Sequence, residues 1–169
     1  MADTAAAEVH RSGRRPAFWL AWLQVALVLL MAASLVPVFF PGFARAAFAW
    51  LVYADLNRLA AFPPDAVRYA TFLHAVLGAV MFGWAVLLFL IVRGPLAAGS
   101  RRSWRAVMAS LVAWFVSGTL FSIASGVWQN VVLNLLFMAA YAAPLAATYP
   151  SQVGRGHAAA ETLRKDRDD

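Results

Sequence analysis

Cysteine is absent from all 169 residues, which excludes disulfide staples, thiolate metal sites and thiol redox chemistry. Lysine is almost absent: Lys165 stands alone beside thirteen arginines, fourteen basic residues in all. The most consequential scarcity is positional. Four long runs, Ala17–Phe40, Tyr69–Val92, Ala106–Ser125 and Val127–Tyr149, contain no Asp, Glu, Lys or Arg. Within them histidine occurs once, as His74. A four-helix haem b protein needs paired axial histidines. A compact proton-coupled exporter needs a carboxylate within the apolar runs. A metal-dependent membrane hydrolase needs a cluster of His and carboxylate ligands. None of these patterns is present, and no nucleophile has a recognisable base with an orienting partner.

The chain has little charge but abundant apolar surface, with 63% hydrophobic residues. Each of the four runs reaches the roughly 20 residues that a helix needs to cross a hydrocarbon core about 30 Å thick. A backbone in lipid must satisfy its own hydrogen bonds, and a helix does so within the segment. The expected fold is therefore all-α, a transmembrane four-helix bundle over residues 17–149. Short polar tails flank it at 1–16 and 150–169, and the length leaves no room for a separate soluble domain.

The arginines orient this arrangement. Arg11, Arg14 and Arg15 precede the first run, and Arg93, Arg101, Arg102 and Arg105 separate the second from the third. Arg155, Arg164, Lys165 and Arg167 follow the fourth, so four spans bring these eleven to one side. Only Arg45, Arg58 and Arg68 fall on the other. The positive-inside rule then predicts both termini in the cytoplasm. The same placement makes the net charge of +6 a topology signal with some attraction to anionic lipid, and argues against a nucleic-acid partner. An arginine-rich, alanine-rich composition fits a high-GC bacterial genome, hence a multi-pass protein of the bacterial cytoplasmic membrane. A competing reading takes Arg14-Arg15 and Met31-Ala32-Ala33-Ser34 as a cleaved signal peptide. Its apolar run is long for that role, and cleavage would leave three spans and upset the charge balance.

Between the first two spans, residues 43–62 mix apolar side chains with Arg45, Asp55, Asn57 and Arg58. Charges so far from the segment ends fit an extracytoplasmic interfacial helix better than a fifth span. Asp55 and Arg58, three apart, are placed to pair, and Asp65 to cap the following helix. Pro37 and Pro41-Gly42 mark the end of the first span, and Arg93-Gly94-Pro95 that of the second. Ser125-Gly126 leaves only a tight hairpin between the last two.

Two patterns in the spans are candidates for function. Gly118, Ser122 and Gly126 recur every four residues, a small-residue stripe suited to close helix packing in lipid. Counting depth along the helices places His74, Ser117, Asn134 and Ser34 at one level, with Asn130 a turn above Asn134. Buried polar groups in a bilayer face the bundle interior or a wet cavity, so these residues suggest either a register-pinning network or a ligand pocket. Trp84 and Tyr141 lie deep enough in their spans to wall it.

The arginine-flanked first span, its kinked exit, Leu77-Gly78-Ala79-Val80 in the second span and the final hairpin with Trp114-Phe115 and Ser125-Gly126-Val127-Trp128-Gln129-Asn130 form one layout. Over about residues 17–148 that layout resembles small four-helix bacterial membrane proteins of the DoxX-like kind. The resemblance implies a four-helix membrane fold and carries over no catalytic residue. The functional expectation is a non-enzymatic integral membrane protein that binds lipid or another hydrophobic ligand, or that supports a homo-oligomer or a larger membrane complex. No cofactor and no metal is expected. The alternative is a small membrane enzyme or transporter built on the His74 layer.

Overall fold

In lipid, apolar side chains gain nothing by hiding from water, so helices associate through packing and hydrogen bonds between them. The computed structural model describes the backbone of residues 2–168 and the side chains of residues 17–149. The tails expected at 1–16 and 150–169 lie outside the residues whose side chains are described. Five α-helices follow one another: α1 (Ala2–Phe39), α2 (Pro41–Tyr53), α3 (Pro64–Ile91), α4 (Arg101–Ala124) and α5 (Trp128–Asp168). Among the described residues there is no strand. Among the described residues, four stretches are long and apolar enough to cross a membrane: Ala17–Phe39, Pro64–Leu96, Arg101–Ala124 and Trp128–Tyr149. Large apolar side chains on their outer faces are exposed, Val25, Leu90, Leu120 and Leu136 among them, as a multi-pass membrane protein requires.

The helix ends show how local chemistry sets the boundaries. The second span begins at Pro64, earlier than Tyr69, because Pro64 occupies the first helical turn, where a missing N–H is harmless. Asp65 is not the cap. The N-cap position is Pro63, without a side-chain bond, and Asp65 sits inside the first turn. At the other end Pro95 does not stop the helix at Val92. A π-helical turn from Val92 to Leu96 absorbs it through wide bonds such as Ala97 N–H to Val92 O at 3.2 Å, a pattern that accommodates the insertion. Ser100 caps α4 by accepting from the Ser103 N–H at 3.2 Å. Gly126, with φ of +71°, turns the chain between α4 and α5, a conformation that glycine adopts without strain.

The segment around α2 also departs from the simple expectation. Asp55 and Arg58 do not pair. The Asp55 carboxylate accepts the Asn57 N–H at 2.9 Å, closing a local turn, while the Arg58 guanidinium lies 5.9 Å from the Tyr53 ring centre. A short 3₁₀ turn over Arg58–Ala61 then leads into α3.

The spans form a ring in which α1 lies against α3 and α5, and α5 against α4, while α3 and α4 touch only briefly. That last contact includes the Trp84 Nε1–H donating to the Ser110 hydroxyl at 2.9 Å and the Trp84 ring beside that of Trp114, centroids 6.4 Å apart. The tight core, centred on Leu23, Leu27, Leu88, Leu111 and Leu145, fills the half of the ring next to the α3–α4 turn. Helix α2 packs on α1, α3 and α5 at the opposite end, where the packing loosens into cavities.

Candidate functional site

The polar groups that depth counting places at one level divide between two seams. On the α4–α5 seam, the buried Asn134 donates from Nδ2 to the Thr119 hydroxyl at 3.3 Å. Asn130 donates to the Ser122 hydroxyl at 2.7 Å, and Ser122 in turn donates to the Gly118 carbonyl at 2.6 Å. This ladder ties the hairpin together. Ser117 joins neither seam: it is exposed and its hydroxyl bonds back to the Ala113 carbonyl of its own helix at 2.7 Å. A serine satisfied within its helix can face lipid at little cost, so depth alone does not bring it inward.

His74 and Ser34 lie on the other seam, among α1, α2 and α3. Ser34 is buried and donates to the Leu30 carbonyl at 2.7 Å. The His74 ring stacks on Phe48 of α2, with centroids 4.1 Å apart and planes within 4°. Its Nδ1 is buried and has no hydrogen-bond partner, the one such side-chain atom among the described residues. His74 and Ser34 line a cavity of about 290 Å³ whose remaining walls are apolar, including Phe43, Leu77 and Phe137. Such a chamber is near the lower end of the ~300–1,000 Å³ usual for small-molecule sites.

Trp84 and Tyr141 do wall a space, but a different one. With Leu27, Leu111, Trp114 and their neighbours they enclose a void of about 30 Å³ at the centre of the ring, without a polar atom in its lining. Both polar ends are satisfied elsewhere, since the Tyr141 hydroxyl donates to the Ala26 carbonyl at 2.9 Å and Trp84 to Ser110. Leu30, Met81 and Phe137 border both this void and the His74 chamber, so the two are neighbours separated by flexible or rotatable side chains.

The small-residue stripe is partly a packing device. Ser122 is buried in the hairpin. A Cβ on Gly118 would sit 3.6 Å from Asn134 Nδ2, an ordinary contact, and one on Gly126 would meet nothing within 4 Å. The glycine that close packing demands is Gly78 on α3, where an added Cβ would collide with the backbone carbonyl of Ser34 and press on Pro37. Its signal in the sequence is the Leu77-Gly78-Ala79-Val80 run, which lacks the four-residue repeat that draws attention to α4.

Sequence reasoning also passed over a cavity larger than the His74 chamber. About 950 Å³ opens between the end of α1, helix α2, the 3₁₀ turn and the start of α3. Arg45 and Arg68 line it, and the Arg45 Nη1–H donates to the Thr71 hydroxyl at 3.3 Å. Those arginines entered the sequence argument only as charges on the minority side of the membrane. Among the described residues no group of three or more His, Asp or Glu side chains is placed to hold a metal ion. No family model matches the chain, and neither a curated protein nor a solved structure does.

Proposed function

We propose that this chain is a non-enzymatic membrane protein that takes a hydrophobic ligand, a lipid or a quinone-like molecule, into the chamber beside His74. The observation that carries the reading is the apolar chamber lined by His74, whose Nδ1 is buried and without a partner. A buried polar atom without a partner is expensive, and a ligand carrying one hydrogen-bonding group and an apolar body would relieve it. An enzyme or transporter built on His74 has less support, because Ser117, Asn130 and Asn134 are engaged elsewhere and no carboxylate lines the chamber.

The test is native mass spectrometry of protein extracted in mild detergent, comparing wild type with His74→Phe. Phenylalanine keeps the ring that stacks on Phe48 and removes both nitrogens. We expect unchanged thermal melting and a loss of retained ligand of about tenfold, equivalent to one hydrogen bond of about 1.4 kcal/mol. Equal ligand retention by the variant would overturn the binding reading. A lowered melting temperature with no ligand on either protein would leave His74 a structural residue.

The setting belongs to the same proposal: a bacterial cytoplasmic membrane, both termini inside and the α2 end outside, as in the DoxX-like layout. The eleven-to-three distribution of basic residues supports it. Reporter fusions near residue 98 should read cytoplasmic and one near Pro64 extracytoplasmic. A cytoplasmic signal at Pro64 would reverse the assignment.

A further inference from the structure

We propose that the 950 Å³ cavity beside α2 binds the phosphate headgroup of an anionic phospholipid between Arg45 and Arg68. The site is separate from the His74 chamber, touching it only at Pro37, and the inference does not depend on that chamber being occupied.

Charge is the first argument. Arg45 reaches the cavity from α2 and Arg68 from the second turn of α3, and no Asp or Glu is among the residues that line it. The two nearest carboxylates in sequence are accounted for: Asp55 is turned to the Asn57 N–H, and Asp65, in the first turn of α3, is not part of the lining. Arg45 is half-buried, and the hydrogen bond found for its guanidinium goes to the neutral Thr71 hydroxyl. A guanidinium at the edge of the hydrocarbon calls for an anion or water, and its planar fork matches phosphate oxygens two at a time. Thr71 and Asn57 add neutral hydrogen-bonding groups to the same lining.

Shape is the second argument, and it selects an amphiphile over a free ion. The rest of the cavity is apolar, with Val38, Leu56, Phe62 and Phe72 on its sides. Leu56 and Phe72 are exposed, as are Phe39 and Phe40 at the adjoining end of α1, so acyl chains leaving the cavity would continue along greasy surface. A lone phosphate would leave these walls facing water. The volume is near the upper end of ordinary ligand sites, about 1,000 Å³.

The experiment reconstitutes the protein in nanodiscs of phosphatidylcholine containing a minor share of phosphatidylglycerol, then counts by native mass spectrometry the lipids that stay bound. Wild type should retain phosphatidylglycerol in preference to phosphatidylcholine. Arg68→Gln, a change at an exposed side chain, should weaken that preference about tenfold, and Arg45→Gln with Arg68→Gln should abolish it. Arg93→Gln with Arg102→Gln, at the opposite end of the spans, should leave it intact. Thermal melting of each variant checks the fold, and the Arg68→Gln variant alone suffices if the double variant does not assemble. Retention by the Arg45/Arg68 variants equal to wild type would overturn the proposal. Equal loss in the Arg93/Arg102 control would do the same, by showing general attraction of anionic lipid. Displacement by inorganic phosphate alone would show an anion site without lipid. Loss of phosphatidylglycerol in Arg68→Gln but not in His74→Phe separates this site from the chamber.

Discussion

Gly78→Ala should lower the melting temperature of the detergent-solubilised protein measurably, and Gly78→Leu should prevent assembly. At this crossing the backbones of α1 and α3 are in contact, and the atom facing the missing side chain is the Ser34 carbonyl oxygen rather than a mobile side-chain end. A methyl group can be fitted only by sliding α3 away from α1, the most extensive helix pair in the ring. Overpacking of this kind costs about 1–3 kcal/mol for small insertions, and leucine would force the helices fully apart. Gly118→Ala is the control. Its added carbon meets Asn134 Nδ2 at 3.6 Å, so melting should stay close to wild type. Equal sensitivity at both glycines would refute the assignment of Gly78 as the crossing point.

Replacing Trp22 with phenylalanine should destabilise the protein by about 1–3 kcal/mol, and a second change at Pro144 should largely cancel that loss. Pro144 lies inside α5 and is buried. Lacking an N–H, it leaves the Ala140 carbonyl one turn earlier without its helical partner. The Trp22 indole N–H from α1 donates to that oxygen at 3.1 Å. In water the carbonyl would find a solvent molecule, but in hydrocarbon the alternative is an unsatisfied dipole. With Pro144→Ala the alanine's own N–H pairs with Ala140, and Trp22→Phe should then cost little. The double-mutant cycle measures this coupling directly. Additive effects would show that the indole contributes only its packing.

Span number and approximate position follow from uninterrupted apolar stretches, because a charged side chain in hydrocarbon is penalised wherever the partner helices lie. Boundaries shifted where backbone chemistry intervened. Pro64 extended α3 outward as a first-turn residue, and a π turn carried it past Pro95 to Leu96. The polar layer was less legible. Depth along a helix axis is a sum of rises, whereas the direction a side chain faces depends on which neighbour it meets. Hence His74, Ser117 and Asn134, which depth counting puts at one height, do not share a seam.

Arg45 and Arg68 illustrate the limit most clearly. In the sequence they are 23 positions apart, 68 minus 45, and separated by a turn, so each counts only as a surface charge. The packing of α2 against the start of α3 brings both into the lining of one cavity. Composition and the spacing of charge were therefore enough to determine four apolar helices long enough to span a membrane, a short fifth helix between the first two and the absence of thiol chemistry. Those are consequences of solvation, felt by each segment separately. Only the tertiary structure decided that Gly78 is the close crossing, that Asn130 and Asn134 lock the hairpin, and that the open cavities gather at the α2 end. Those depend on distances between helices, which in lipid are set by side-chain fit and interhelical hydrogen bonds rather than by any one segment's hydropathy.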